Sequence, residues 1–299
     1  MAQNVYQMVT DRIVEMMNQG IIPWEKPWKG MSTSLKDCAI SYTSRKPYSL
    51  LNQILLGEDG EYITFNECTK LGGKVKKGAK SRIVVFYKPL VKKVTAKDEE
   101  TGEEVEKEKM SFFLQYYRVF HINDCEGIKS KFAEDETTST GEQFESILDG
   151  EKVIEDYIER ESANGFSLEH RSGDRAYYQP SLDRVVLPLK EQFNAIAEYY
   201  STAFHEIAHS TLKECRCNRK QTSTAFFGSE EYSKEELVAE ITSANICSVT
   251  GIETPSTFKN SSAYIQSWLK ALKNDPKMIV FASAQAEKAT KYILNIKES

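Results

Sequence analysis

The chain is 299 residues long, 40% hydrophobic and 28% charged, with a formal net charge of −5. That length supports two domains with cores of their own, and no apolar run reaches the roughly 20 residues of a membrane span. Met1 to Gly20 lacks the charged, apolar, small-residue order of a secretory signal. The six cysteines (Cys38, Cys68, Cys125, Cys215, Cys217 and Cys247) make no disulfide framework, so a reduced, cytoplasmic setting is expected.

The charge is uneven. Residues 1–130 carry 20 Lys or Arg against 17 Asp or Glu, and residues 131–299 carry 19 against 27. A mildly basic first half and an acidic second half predict two domains with different partners. The expected class is α+β: an N-terminal α+β domain over 1–129, a linker over 130–141, and a mainly helical domain with a small sheet over 142–299.

Asn4 to Gln19 reads as an amphipathic helix, with Val5, Met8, Val9, Ile13, Met16 and Met17 at three- and four-residue steps and Gly20 as its stop. Ile21 to Trp28 holds two tryptophans and two prolines, an extended segment. Trp24 and Trp28 either cover a core or offer faces for bases to stack on. Ser44 to Leu56 begins as a basic turn containing Arg45 and continues as a short apolar helix. Glu61 to Phe65 predicts a strand, and Asn66 to Leu71 a helical turn ending at Gly72 and Gly73.

Residues 70–93 contain Lys70, Lys74, Lys76, Lys77, Lys80, Arg82, Lys88, Lys92 and Lys93 and no acidic residue. Ser81 to Tyr87 within this run has strand character. Lysines beside aromatics on strands suit single-stranded nucleic acid; the structural alternative is a solvated edge that discourages aggregation. Asp98 to Lys109 reads as a charged hairpin tip and Phe112 to Ile122 as the returning strand. Ser130 to Gly141, polar and rich in Ser and Thr, reads as the linker.

The second half opens with a helix over roughly Gly141 to Ser162. Short strands are predicted at Phe166 to His170, Arg175 to Tyr178 and Arg184 to Pro188. Residues 190–213 read as helical and contain His205-Glu206-Ile207-Ala208-His209. Positions i and i+4 share a helix face, so the two imidazoles can reach one metal ion, with Glu206 beside them to take a proton from a bound water. Thr222 to Glu231 reads as a loop, and Glu235 to Val249, Thr257 to Asn274 and Pro276 to Lys297 as helices. Cys215-x-Cys217 is read as plain thiols, since the spacing is not that of a metal pair.

Two histidines need a third ligand. Glu236 and Glu240 are again i and i+4, at the start of the helix after the motif. A capping box of Ser233 with Glu236 is the structural alternative. The pattern resembles the gluzincin arrangement, which implies Glu236 as ligand and Glu240 as the acceptor that fixes His205. Glu235, one position off that face, is the fallback.

The whole chain resembles the ArdC-type antirestriction proteins of plasmids and conjugative elements. In the first half the matching pieces are Ile22-Pro23-Trp24 with Trp28, Tyr48 with Asn52, Tyr62 to Phe65, Gly72 to Gly78 and Tyr117 to Phe120. In the second half they are Ala176 to Pro180, Asp183, Pro188, the His-Glu-x-x-His motif, Phe227-Gly228-Ser229 and Glu235 to Glu240. The resemblance implies a single-stranded-DNA-binding domain followed by a zincin-like metallopeptidase domain. Two positions depart from it: Leu50 stands where the family usually has Gly, and His121 where it often has Asn.

The expected DNA-contacting set is Trp24, Trp28, Arg45, Tyr48, Asn52, Lys74, Lys76, Lys77, Lys80 and Arg82. The expected cofactor is zinc or another divalent metal at His205, His209 and Glu236, with Glu206 as general base. The function implied is an antirestriction protein that shields incoming single-stranded DNA from host nucleases. The competing readings are an active zinc metallopeptidase acting on a host protein, and a DNA-binding protein with a purely structural metal. A magnesium-dependent nuclease is disfavoured, because no carboxylate cluster of that kind stands out.

Overall fold

A computed structural model describes residues 4–24, 38–97, 104–132, 149–219, 230–252 and 262–297. Helix α1 (Val5–Asn18) starts where the Asn4 side chain accepts the Tyr6 amide at 3.1 Å, and it buries Val9, Ile13, Met16 and Met17. Strand β1 (Ala39–Ser41) precedes α2 (Leu50–Leu56), which ends on Gly57 in the left-handed region at φ 66°. Leu50 at the start of α2 donates its amide to Glu287, far along the chain, at 2.9 Å. Strand β2 (Gly60–Thr64) runs straight into α3 (Phe65–Lys70) through a capping box of Thr64 and Glu67.

Strands β3 (Lys74–Val75), β4 (Arg82–Lys97), β5 (Glu104–His121) and β6 (Cys125–Glu126) complete the first half. The main sheet has the order β1-β2-β5-β4, parallel between β1 and β2 and antiparallel elsewhere; β3 pairs with β6. The β4–β5 hairpin is much longer than its sequence suggests, pairing without a break from Arg82↔Val119 to Lys97↔Glu104. The stretch Glu104 to Lys109, expected in a loop, is strand. Its register sets Glu108 opposite Lys93 and Glu104 opposite Lys97. The outer edge of β4 is covered by Asn52, whose side-chain amide donates to the Val85 carbonyl and accepts the Val85 N–H, both at 2.8 Å.

In the second half, α4 (Gly150–Ser162) is capped by Asp149; most of the predicted linker and residues 141–148 lie outside the described residues. Strands β7 (Ser167–Arg171), β8 (Tyr177–Gln179) and β9 (Arg184–Pro188) form a sheet of order β7-β9-β8, parallel between β7 and β9. Four helices follow: α5 (Ile196–Ser210), α6 (Glu230–Val249), α7 (Ser262–Asn274) and α8 (Met278–Ile293). Helix α6 begins at Glu230, so Ser233 lies inside it and no capping box with Glu236 forms.

Two large cores result. The first packs α1, α2 and the inner face of the β4–β5 hairpin against α6, α7 and α8, and so joins the two halves of the chain. Trp24 belongs to it, 4% exposed, with its ring edge-on to Trp268 at 5.5 Å. The second core is built from α4, β9, α5 and α6. Helix α6 serves both. Leu237, Val238 and Ile241 enter the first core, while Ala239, Ile246 and Cys247 enter the second. A helix apolar on so many sides is fixed from all around. None of the six cysteines is in a disulfide, and no helix among the described residues is long and apolar enough to cross a membrane.

Candidate metal centre and nucleic-acid face

Ala203, Phe204, Ile207 and Ala208 are fully buried, and they seat α5 so that His205 and His209 share its remaining face. Opposite them α6 presents Glu235, Glu236 and Glu240. The two imidazole Nε2 atoms lie 3.1 Å apart, and each is 3.5 Å from a different carboxylate oxygen of Glu236. Ligands about 2.1 Å from a tetrahedral zinc sit about 3.4 Å from one another, close to the 3.1 Å between the two Nε2 atoms, and one donor atom from each of His205, His209 and Glu236 lies within 4.8 Å of the other two. The donor set, two imidazoles and a carboxylate, is also the right chemistry for a divalent ion of this class. Glu206 lies beside the ligand pair. The site opens on a cavity of about 390 Å³ walled by Tyr177 and Tyr178 of β8 and by Tyr232 of α6.

The other nitrogen of each ring faces an acceptor. His205 Nδ1 is 3.5 Å from Glu240 and His209 Nδ1 is 3.4 Å from Glu235. These contacts give the Nδ1–H groups to the carboxylates and would leave the Nε2 atoms for an ion. Burial alone would pull the His205 imidazole down, yet Glu240, Glu236 and Glu206 outweigh it and push the group up to about 10. Burial pushes Glu240 up. Glu235 and Glu236 are held below the usual carboxylate range despite burial, the former by His209 and Arg219, the latter chiefly by the two histidines.

Glu235 and Glu236 differ in what else holds them. Both oxygens of Glu235 are taken by the Arg219 guanidinium, at 2.7 and 3.1 Å, whereas Glu236 turns to the two Nε2 atoms. Arg219 carries no motif signal and lies 16 residues from Glu235, so sequence reasoning missed it. A second buried arginine ties the cavity wall to α5. Arg216 grips Asp183 with two hydrogen bonds of 2.9 and 2.7 Å, Glu161 with one of 2.8 Å and the Ser210 carbonyl with another of 2.8 Å. Asp183 also accepts from the Tyr178 hydroxyl at 2.8 Å, which fixes that tyrosine at the cavity. The sequence marked Asp183 only as a match within the resemblance; its φ of 50° is a strained turn kept by these bonds.

The residues expected to contact DNA fall into distinct groups. Trp24 and Asn52 are buried and offer no surface to a base: one fills the first core, the other covers the β4 edge. Trp28 lies outside the described residues. Arg45 is paired with the buried Glu61, and Arg82 with Glu58, the Tyr62 hydroxyl and the Leu56 carbonyl, so both guanidinium groups are engaged within the fold. Lys74, Lys76, Lys77 and Lys80 are exposed, with Lys76 donating to the Asn123 carbonyl at 2.7 Å.

A better aromatic surface lies on the hairpin. Paired positions Val84↔Tyr117, Phe86↔Gln115 and Lys88↔Phe113 share one sheet face, the opposite one from Val85 and Leu114 in the first core. Phe86, Phe113 and Tyr117 are 38–39% exposed there, the Phe86 and Tyr117 rings being 5.4 Å apart. Tyr48 is hydrogen-bonded to Tyr117 and packs beside it on this same face, against a small cluster that includes Val84 and Val119.

Two family models match different stretches of the chain. A model of the N-terminal domain of anti-restriction factor ArdC matches residues 3–120, and one of zincin-like metallopeptidases matches 155–285. DNA primase TraC of Escherichia coli is 33% identical over 97% of this chain, which spans only 27% of that protein. The crystal structure of the metal-free antirestriction protein ArdC from plasmid R388 is 28% identical, covering 99% of this chain and 100% of that one, with a TM-score of 0.68. Its Mn(II)-bound form is 27% identical, with 98% of each chain covered and a TM-score of 0.69.

Proposed function

The chain belongs to the ArdC antirestriction family, and from that premise we propose that it binds single-stranded DNA on its N-terminal sheet and shields it from restriction nucleases. The observation that carries this reading is the exposed strip of Phe86, Tyr117 and Phe113 with Lys88 on the outer face of the β4–β5 hairpin. Aromatic faces 5 Å or so apart suit successive bases, and lysines nearby suit the backbone, a combination that binds single strands with little sequence preference. We place this action in the cytoplasm of a cell receiving a mobile element, in keeping with cysteines that form no disulfide.

The second domain, in this proposal, holds one divalent ion, zinc by its donor set, on His205, His209 and Glu236. Such an ion supplies Lewis acidity and lowers the pKa of bound water. The chain's own groups do the rest. Glu240 and Glu235 orient the two rings, and Glu206 is set to take a proton and return it to a leaving amine. That arrangement favours a second reading, a peptidase acting on a host protein, because a merely structural site needs neither Glu206 nor an open cavity.

Protection of incoming DNA by wild type and by Glu206→Gln separates the two. Steric shielding leaves protection intact in the variant. A peptidase role loses it while metal content and DNA affinity stay unchanged, since removing a general base costs roughly 10²–10⁴ in rate.

A further inference from the structure

We infer that Arg219 and Glu235 form a clamp that positions His209 for the ion, and that this clamp sets the affinity of the site. The inference rests on the metal reading above. The geometry is specific. Glu235 Oε1 lies 3.4 Å from His209 Nδ1, while the same carboxylate is held by the fork of Arg219 through both its oxygens. Arg219 is anchored in turn on α5: it donates to the Ala208 carbonyl at 3.0 Å and to the Thr211 hydroxyl at 2.6 Å. The guanidinium therefore joins the C-terminal turn of α5 to the first turns of α6, across the point where His209 sits.

Burial makes the arrangement more than decoration. The side chains of Arg219 and Glu235 are 6% and 8% exposed. A carboxylate so deep needs a partner, and the planar fork of an arginine satisfies both of its oxygens in one orientation. Glu235 then has a fixed lone pair for the His209 Nδ1–H. That fixes the ring's tautomer and rotation, leaving Nε2 directed at Glu236 and His205. His205 has only Glu240 in the corresponding place, with no arginine behind it among the contacts described. The two histidines are thus held differently, and the clamp makes His209 the more rigid ligand.

The test uses the full-length chain as wild type, Glu235→Gln, Arg219→Lys and the double variant. Each is stripped of metal, melted in that state, and titrated with Zn²⁺ against a chromophoric chelator; the visible spectrum of the Co²⁺-loaded form is then recorded. We expect Glu235→Gln to weaken zinc binding about 10- to 100-fold and to alter the Co²⁺ bands, since partners of ligating histidines carry effects of that size. Arg219→Lys should weaken it less, because an ammonium satisfies one oxygen where the fork satisfies two. The double variant should be no worse than Glu235→Gln, because the arginine acts through the carboxylate. Should Glu235→Gln melt far below wild type, Arg219→Lys carries the comparison. A wild type that binds zinc tightly, with both single variants matching it in affinity and Co²⁺ spectrum, overturns the clamp alone. A wild type that binds no metal overturns the metal reading and the clamp with it.

Discussion

At the scale of single residues, the proposed metal site depends on which nitrogen of each histidine would be left for an ion. With Nδ1 of His205 facing Glu240 and Nδ1 of His209 facing Glu235, removing either ring removes a third of the donor set. His205→Ala is expected to abolish stoichiometric metal binding, and elemental analysis of the purified protein checks it; equal metal in variant and wild type would rule the site out. On the hairpin the same scale gives a second test. Phe86→Ala and Tyr117→Ala each remove one exposed ring and no buried contact of the first core, so folding should survive. Each stacked base contributes about 1–3 kcal/mol, so affinity for single-stranded DNA should fall about 5- to 150-fold per ring. Trp24→Ala makes the contrast: it empties a buried position against Trp268, and its effect should appear in the melting temperature, about 3–5 kcal/mol of stability. Unchanged DNA binding in Phe86→Ala and Tyr117→Ala would mean that the strand lies elsewhere.

Elements are tied together by the two buried arginines, and here acid sensitivity enters. Asp183 and Glu161 are 3% and 1% exposed, and although burial raises both, their hydrogen bonds to Arg216 hold them below the usual carboxylate range. Depressed folded values mean that this stabilisation is complete above the unfolded carboxylate range, near pH 4, and is lost as pH falls through the folded values. Arg216→Met strands two buried carboxylates and should cost about 3–5 kcal/mol at neutral pH. The deficit should shrink on acidification, as those carboxylates take up protons. Urea unfolding of both proteins at pH 7 and pH 4 measures it, and a deficit independent of pH would deny the cluster this role. The cluster also shows what could be read from sequence and what could not. Helix α1, strands β2 and β9, and the His-Glu-x-x-His face of α5 follow from periods and punctuation within a few residues. The reach of the β4–β5 hairpin depends on partners across a turn, so its charged half reads as loop. Ser233 with Glu236 mimics a helix start that lies in fact at Glu230. Whether Glu235 or Glu236 turns to the two Nε2 atoms is decided by Arg219, and whether Trp24 is core or platform is decided by Trp268, both out of range of any local pattern.

For the whole molecule, the central fact is that α6 belongs to both cores while carrying Glu236 and Glu240. One of its faces packs on the first core with α1 and α2, another on the second with α5, and a third meets the histidines. An ion held at Glu236 as proposed would therefore act on both halves of the chain while touching only one. Any ligand specific for the folded state stabilises it by about 2.7 kcal/mol at a hundred times its Kd. If the cores were independent, that gain would appear only in the half containing His205 and His209. Because Leu237, Val238 and Ile241 must leave the first core when α6 unfolds, we expect the gain to be shared. Calorimetric scans of the full-length chain, metal-loaded and chelator-treated, should each give one transition, at a higher temperature with metal. Hydrogen exchange of the α1 and α2 amides should slow on metal addition, even though Val9 and Ile54 lie in the first core, away from the ligands. Two transitions, with only one moved by metal and with exchange in α1 and α2 unchanged, would mean that α6 can release one core while keeping the other, and that the N-terminal half is blind to the ion.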